Sequence, residues 1–195
     1  MKNLQINLFS LFLIVFVVAA TIFGQSENKN NKPKLIRGEV FIIEKTTTSL
    51  PSNFSKLPHI TTIFVNEINV PTRVWNNGFP DLPEIYEWFA IEYKVTMRIN
   101  QEGNYKFRLV SDDGAKLYID KKLIVDNDGT HSFLPVSGSA KLAKGEYSFK
   151  LQFFQGPRYE AGIQLFVKKD SGKEVLFPGD EIELVSDSGA DSTAK

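Results

Sequence analysis

Strict alternation of apolar and polar residues runs through the middle of this chain and restricts what the chain can fold into. From Ile91 to Ile99 the odd positions are apolar and the even positions are polar. The same pattern returns from Tyr105 to Leu109, after a turn at Glu102-Gly103. Alternation with period two places one face of a strand in a core and the other in water. The two segments are therefore predicted to be strands, joined as a hairpin.

Further short strands are indicated on both sides of this pair, and they are separated by clusters of Gly, Pro, Asn and Asp. They cover Leu35–Glu44, Ile60–Val65, Tyr147–Phe153 and Ile163–Val167. The prolines between Val70 and Pro83 predict loops or an edge strand there, but not a central strand. No convincing amphipathic helix is present. The expected fold class is all-β, an antiparallel β-sandwich or barrel formed by one domain over residues 35–184.

The two ends of the chain differ from this domain in composition. A positively charged start and an apolar run from Leu8 to Ala20 predict a secretory signal peptide over residues 1–25. An Asn- and Lys-rich leader (residues 26–34) and a Ser-, Gly- and Asp-rich tail (residues 185–195) are predicted to be flexible or disordered. The apolar run is shorter than the roughly 20 residues of a membrane span. The mature chain is therefore expected to be secreted, periplasmic or at the cell surface, with an uncleaved signal anchor as the alternative.

Cysteine content and charge exclude several classes of protein. The sequence has no cysteine, so an exported form must be stabilised by its core or by bound metal rather than by disulfides. Lys and Arg together number 23, as do Asp and Glu. No net positive charge is available to attract a phosphate backbone, so nucleic acid is not an expected partner.

A pair of adjacent carboxylates follows the strand predicted at Tyr105–Leu109. The chain continues through Ser111 into Asp112, Asp113 and Gly114, and then into another predicted strand. Carboxylates placed where a half-buried strand ends in a loop favour a binding role over a packing role.

The chain resembles a known family, the PA-fourteen (PA14) domain of anthrax protective antigen, bacterial glycosidases, secreted adhesins and yeast flocculins. The resemblance runs from about Leu35 to Val167. Its matching segments, in the order typical of the family, are Gly103–Phe107, Ser111–Asp120, Leu123–His131, Leu142–Tyr147 and Phe153–Pro157.

The resemblance implies an antiparallel β-sandwich and a metal site. Some members bind calcium through the Asp-Asp pair, whose peptide bond is cis, and use the ion to hold sugar hydroxyls. Carried over to this chain, the metal ligands would be Asp112, Asp113, Gln155 and Gly156. Calcium suits such a site because it accepts about six to eight oxygen ligands, including carboxylate, amide and backbone oxygens.

The loop after Gln155 supplies the candidate contacts to a sugar. Tyr159 could stack on a sugar ring and Arg158 could hydrogen-bond a sugar hydroxyl or carboxylate, in addition to contacts from the Asp pair. Trp75 also lies in an irregular segment, whereas Trp88 is expected to be buried.

Other interpretations of the polar motifs remain open. The Asp112–Gly114 segment could be a structural turn whose carboxylates accept backbone N–H groups. Asp126–Gly129 lacks the remaining ligands of an EF-hand loop and is predicted to be a hairpin turn. The histidines, His59 and His131, do not form a zinc-ligand pattern.

The expected function is binding rather than catalysis. Glycoside hydrolysis needs two carboxyl groups about 5–9.5 Å apart across the bond, which neighbouring chelating residues cannot provide. We therefore expect a calcium-dependent carbohydrate-binding module of lectin-like or adhesin-like character, whose partner is a glycan or polysaccharide. The alternative is a non-catalytic interaction or assembly module, with a cell-surface protein as a possible partner and the Asp-Asp turn purely structural.

Overall fold

The computed structural model describes residues 35–185, which all belong to one compact unit. The described strands are β1 (Ile36–Ile42), β2 (His59–Val65), β3 (Asn69–Val74), β4 (Phe89–Ile99), β5 (Gly103–Asp112), β6 (Ala115–Ile119), β7 (Lys122–Asn127), β8 (Leu134–Leu142), β9 (Gly145–Gln155), β10 (Glu160–Lys169), β11 (Val175–Leu176) and β12 (Ile182–Val185). Two short 3₁₀ turns lie at Phe54–Lys56 and Trp75–Asn77. The predicted signal peptide, the leader and the tail beyond Val185 lie outside the described residues.

The strands form two antiparallel sheets packed face to face, which confirms the predicted all-β sandwich. The first sheet has the order β2-β1-β4-β9-β6-β7, with β12 also pairing with β4. The second has the order β11-β10-β5-β8, and β3 pairs with the first half of β10 on the same edge as β11. Pro71 lies in β3, whose only described partner is β10, so the expectation of an edge strand or loop in this segment is confirmed.

Two predicted hairpins are wrong. Strand β4 pairs with β1, β9 and β12, whereas β5 pairs with β8 and β10, so the turn between β4 and β5 carries the chain from one sheet to the other. Likewise, Asp126–Gly129 leads from β7 in the first sheet towards β8 in the second. Alternation identifies which face of a strand is buried, but two strands with apolar faces can satisfy it equally well by facing each other across the core.

The main core lies between the sheets and is rich in aromatic rings. Phe149 on β9 and Phe177 are fully buried and stack with their ring centroids 4.5 Å apart. Phe79, Phe89 and Phe153 form a second aromatic group. Full burial of such a side chain contributes about 1.5–3 kcal/mol, so this core can stabilise the domain without disulfides.

A smaller apolar cluster lies on the outer face of the first sheet. Phe41, Ala90 and Phe154 point outward from β1, β4 and β9 and are covered by the segment between β1 and β2, residues 43–58, which we call the cover. The Leu50 N–H donates to Asp128 Oδ1 over 2.7 Å. The cover therefore packs on the end of the first sheet at which β9 ends and the β9–β10 loop begins.

None of the elements found between residues 35 and 185 is a helix with the length and apolar character needed to cross a membrane.

Replacing Phe149 by alanine should lower the free energy of unfolding by about 3–5 kcal/mol, because it removes a stacked, fully buried ring from between the sheets. Urea denaturation of both proteins measures the difference. Phe64→Ala is the control, since that ring is 56% exposed and its loss should change stability by at most about 0.5 kcal/mol. Equal effects of the two substitutions would contradict the assignment of the core.

Candidate functional site

The Asp pair lies where the chain crosses between the sheets at one end of the sandwich. Asp112 ends β5 in the second sheet, and β6 begins at Ala115 in the first. The peptide bond between Asp112 and Asp113 is cis. Gly114 is required here because a Cβ atom would lie 2.5 Å from the Phe154 ring and 2.8 Å from the Gly129 nitrogen. The crossing is thus held tightly against two neighbouring segments.

Asp113 joins two further loops to this crossing. Its Oδ2 atom accepts the Gly156 N–H over 2.7 Å, and its Oδ1 atom accepts the His131 N–H over 3.2 Å. The first loop follows β9 and the second follows β7. A carboxylate that accepts two backbone N–H groups fixes the loops around itself.

Gln155, which directly precedes Gly156, is completely buried and has an unpaired oxygen. Its Nε2 atom donates to the Glu160 carbonyl over 3.0 Å, but its Oε1 atom is buried without a hydrogen-bond partner among the described residues. The next residue, Gly156, would place a Cβ 3.0 Å from Asp113 Oδ2. Buried polar atoms are nearly always satisfied, so an orphaned oxygen at this position calls for a ligand.

Asp112 is also buried, with 6% of its surface exposed. No hydrogen bond to its carboxylate is made from within residues 35–185. Burial raises the pKa of Asp112 to about 7, with further contributions from the negative charges of Asp113 and Glu160. Burial also raises the pKa of Asp113, opposed by its two backbone hydrogen bonds. Two adjacent carboxylates that both resist ionisation form a site where a cation would be stabilised.

The donor set fits calcium better than a transition metal. It consists of hard oxygens: two carboxylates, the unpaired Gln155 amide oxygen and the Gly156 carbonyl, which also accepts the Trp88 N–H over 3.3 Å. No group of three or more His, Cys, Asp or Glu side chains in the described part of the chain could hold a metal. A cation at the Asp pair would therefore depend on amide and backbone oxygens.

The residues predicted to contact a sugar lie in the loop after Gln155, but they differ in how free their side chains are to bind a ligand. Tyr159 is 81% exposed. The Arg158 side chain lies 4.7 Å above the Trp75 ring and bonds Glu87 Oε2 from Nε over 3.2 Å. Trp75 in turn makes an edge contact with Tyr86. The structure thus places Gln155 and Gly156 at the end of the sandwich that holds the Asp pair, whereas the Arg158 side chain lies over the Trp75 ring.

Several supporting residues were not identified from the sequence. Asn127, almost fully buried, donates to Ser111 Oγ and to the Leu134 carbonyl, both over 2.9 Å. Its carbonyl lies 3.0 Å from Nε2 of His131. Trp88, expected to be buried, is partly buried and packs against the small cluster under the cover. An asparagine at the end of a strand carries no sequence signal that distinguishes this role from an ordinary turn.

Comparison with known proteins agrees with this architecture. The sequence model of the PA14 domain matches residues 45–180, which is more than half of the chain. The chain belongs to the PA14 domain family.

Among curated proteins, anti-sigma-I factor RsgI3 of Acetivibrio thermocellus is 25% identical over 112 residues. These cover 54% of this chain but 17% of that protein. An anti-sigma factor domain-containing protein of known structure superposes with a TM-score of 0.62 at 20% identity, covering 79% of this chain and 49% of its own. This PA14 domain thus spans about half or less of the length of these relatives.

The PA14 sugar-binding domain of an RTX adhesin superposes with a TM-score of 0.60 at 16% identity. The match covers 75% of this chain and 96% of the adhesin domain. At this level of identity the likeness shows a shared fold.

In the presence of a chelator, the protein should lose stability as the pH rises from about 4 to about 7. The native state holds the Asp112 proton up to about pH 7, whereas an unfolded aspartate releases it near pH 3.9, so the native form binds more protons in this window. Asp112→Asn should flatten the dependence, because an amide does not titrate. Urea denaturation at several pH values measures it, and an unchanged slope in the variant would contradict the assigned environment.

Proposed function

We propose that this PA14 domain is an exported, calcium-dependent carbohydrate-binding module whose ion is held at the Asp pair. The proposal rests on the Oε1 atom of Gln155, which is buried and has no hydrogen-bond partner among the described residues. Gln155 directly precedes Gly156, whose N–H donates to Asp113. A calcium ion bound here would coordinate the Gln155 oxygen and neutralise the charge of Asp112 and Asp113, two carboxylates that have no ion-pair partner within residues 35–185.

Asp112, Asp113, Gln155 and the Gly156 carbonyl would form the protein part of the calcium shell. Calcium leaves coordination positions open when the protein supplies fewer than its about six to eight ligands, and hydroxyl groups of a sugar can fill them. The ion therefore selects hydroxyl-bearing ligands, and the fold likeness to a PA14 sugar-binding domain of an adhesin supports this ligand class.

Tyr159 is the residue proposed to contact the sugar beyond the ion. Its side chain is exposed while its backbone carbonyl accepts the Trp75 N–H over 3.1 Å, so the ring projects from an anchored loop. Arg158 would have to exchange its contact with Glu87 for one with the ligand. Surface ion pairs contribute roughly 0–1 kcal/mol, so this exchange is energetically accessible.

A role in binding rather than catalysis follows from the same geometry. Both carboxylates belong to consecutive residues and share one environment, whereas glycoside hydrolysis needs an acid and a base on opposite sides of the bond. The signal peptide predicted from the sequence supports an extracellular or cell-surface location.

The alternative is a protein-interaction or assembly module in which the Asp pair is structural. The two backbone hydrogen bonds of Asp113 favour it, because they tie the loops after β7 and β9 to this carboxylate. The similarity to part of an anti-sigma-I factor is equally compatible with an assembly role.

Calcium should raise the melting temperature of the protein, and Asp112→Asn should remove most of that increase. Calcium at one hundred times its dissociation constant adds about 2.7 kcal/mol to the free energy of unfolding. Asp112 is the better position to change than Asp113, because its carboxylate holds no loop in place. Thermal melts with calcium and with chelator measure the shift.

Asp126→Asn is the matched control, since this carboxylate lies near the end of β7, the strand that leads to the His131 loop, and is half exposed. The control should keep the full response to calcium. A response that is absent in the native protein, or unchanged in Asp112→Asn, would favour the structural role of the Asp pair.

Tyr159→Ala should weaken glycan binding by roughly fivefold or more while leaving the calcium response and the melting temperature unchanged, because the ring is exposed and makes a stacking contact worth about 1 kcal/mol. A glycan array screened with calcium identifies the ligand, and titration calorimetry compares the two proteins. Equal affinities would place the sugar away from this loop.

A further inference from the structure

A row of six outward-facing side chains crosses the whole first sheet at one register. Arg37 on β1 lies opposite Phe64 on one side and Lys94 on the other, and Lys94 lies opposite Lys150. Lys150 lies opposite Tyr118, which lies opposite Leu123. We call the central three residues, Arg37, Lys94 and Lys150, the cation row. Neighbouring strands are about 4.8 Å apart, so the row presents cations at regular intervals across three adjacent strands.

The positively charged side chains of this row are more exposed than their acidic partners. The side chains of Arg37 and Lys94 are 51% and 57% exposed, whereas those of their acidic partners Glu39 and Glu92 are 19% and 10% exposed. Glu92 is shared with Gln152, whose Nε2 donates to it over 2.8 Å. Solvent therefore meets ammonium and guanidinium groups, with the carboxylates beneath them.

Like charges directly opposite one another destabilise a sheet. Lys94 and Lys150 form such a pair; Glu92 compensates the charge of Lys94, and the Lys150 ammonium lies 4.4 Å from the centre of the Tyr118 ring. Lys150 is thus the member of the cation row without a carboxylate partner among the described residues, and its ammonium group is available to an anion.

An open groove of about 400 Å³ runs beside the row. Its lining carries three ammonium groups, those of Lys94, Lys150 and Lys121, against the one carboxylate of Glu92. It also includes Thr96 and Ser148, which are opposite each other on β4 and β9. The groove thus offers ammonium groups for carboxylates and side-chain hydroxyls for other hydroxyl groups.

We propose that the cation row and its groove bind a polysaccharide that carries carboxylate groups, a polyuronate, at a surface separate from the Asp pair. Charge complementarity argues for the acid, and the combination of ammonium and hydroxyl groups argues for a sugar. The two ends of the six-residue row add apolar surface, since Phe64 and Leu123 are 56% and 43% exposed.

The two surfaces are distinct because the shared strand pair separates them. Lys94 pairs with Lys150, and Phe89 pairs with Gln155, five residues further along both strands. Five residues of β-strand span roughly 17 Å. Binding at the cation row therefore needs no calcium, and a failure of the calcium site leaves this proposal intact.

The test is binding of the full chain to alginate, a polyuronate, in the presence of a chelator, with dextran as the neutral counterpart. The double variant K94Q/K150Q should bind alginate about tenfold more weakly than the native protein. The native protein should bind alginate more weakly as salt is added and should not bind dextran. Affinity electrophoresis or calorimetry measures these differences.

The matched control is K106Q/K168Q. Lys106 and Lys168 are also directly opposite each other, on the outer face of the second sheet, so this variant removes the same charge from the same kind of pair. It should retain native affinity for alginate. Equal losses in both variants would show non-specific attraction and overturn the proposal.

Two further outcomes would also overturn it: no binding of alginate by the native protein, or tighter binding of polyphosphate than of alginate at the same lysines. If K94Q/K150Q does not fold, as judged by its melting curve, the single variant K150Q takes its place, because Lys150 has no carboxylate partner among its described contacts. Retained affinity in a folded K150Q would then count against the row.

Discussion

The pairing of β4 with β9 is the constraint on which the rest of the molecule depends. It runs without interruption over eleven residues of each strand, from Phe89 opposite Gln155 to Ile99 opposite Gly145. The inward residues of this pair form the centre of the core, and the outward residues include Lys94 and Lys150 of the cation row as well as Ala90 and Phe154 under the cover. Because side chains alternate with a period of two, a slip of one residue would move each set to the wrong face.

The same pairing delivers Gln155 to the end of the sandwich. Gln155 is the last residue of β9 and points inward, in phase with Phe149 and Phe153, so it closes the core where Asp112 arrives from the opposite sheet. One buried amide and two buried carboxylates thus lie at the same end of the sandwich, where the apolar core ends. Backbone groups hold two of the three: Asp113 accepts from the N–H groups of Gly156 and His131, and the Gln155 amide donates to the Glu160 carbonyl.

The sequence predicted the class of fold because alternation is a local property of each strand. It failed for the partners of β4 and β5, since strand pairing depends on contacts between distant residues, and a short turn between two strands can lead across the core as well as along a sheet. The Asp pair was visible because its two members are adjacent. Gln155 was reached only through family resemblance, and the contact of Arg158 with Glu87 joins residues 71 positions apart, which no local pattern reveals.

The cover has a consequence for how the Asp pair is tuned. It packs on Phe154, the residue before Gln155. The Phe154 ring lies so close to Gly114 that a Cβ atom there would clash with it. The cover is held in turn to Asp128, beside the loop that reaches Asp113. A segment some sixty residues away in sequence therefore forms the back wall of the site. A change in how the cover packs would therefore reach the Asp pair through Phe154 and Asp128 while leaving both carboxylates in the sequence unchanged.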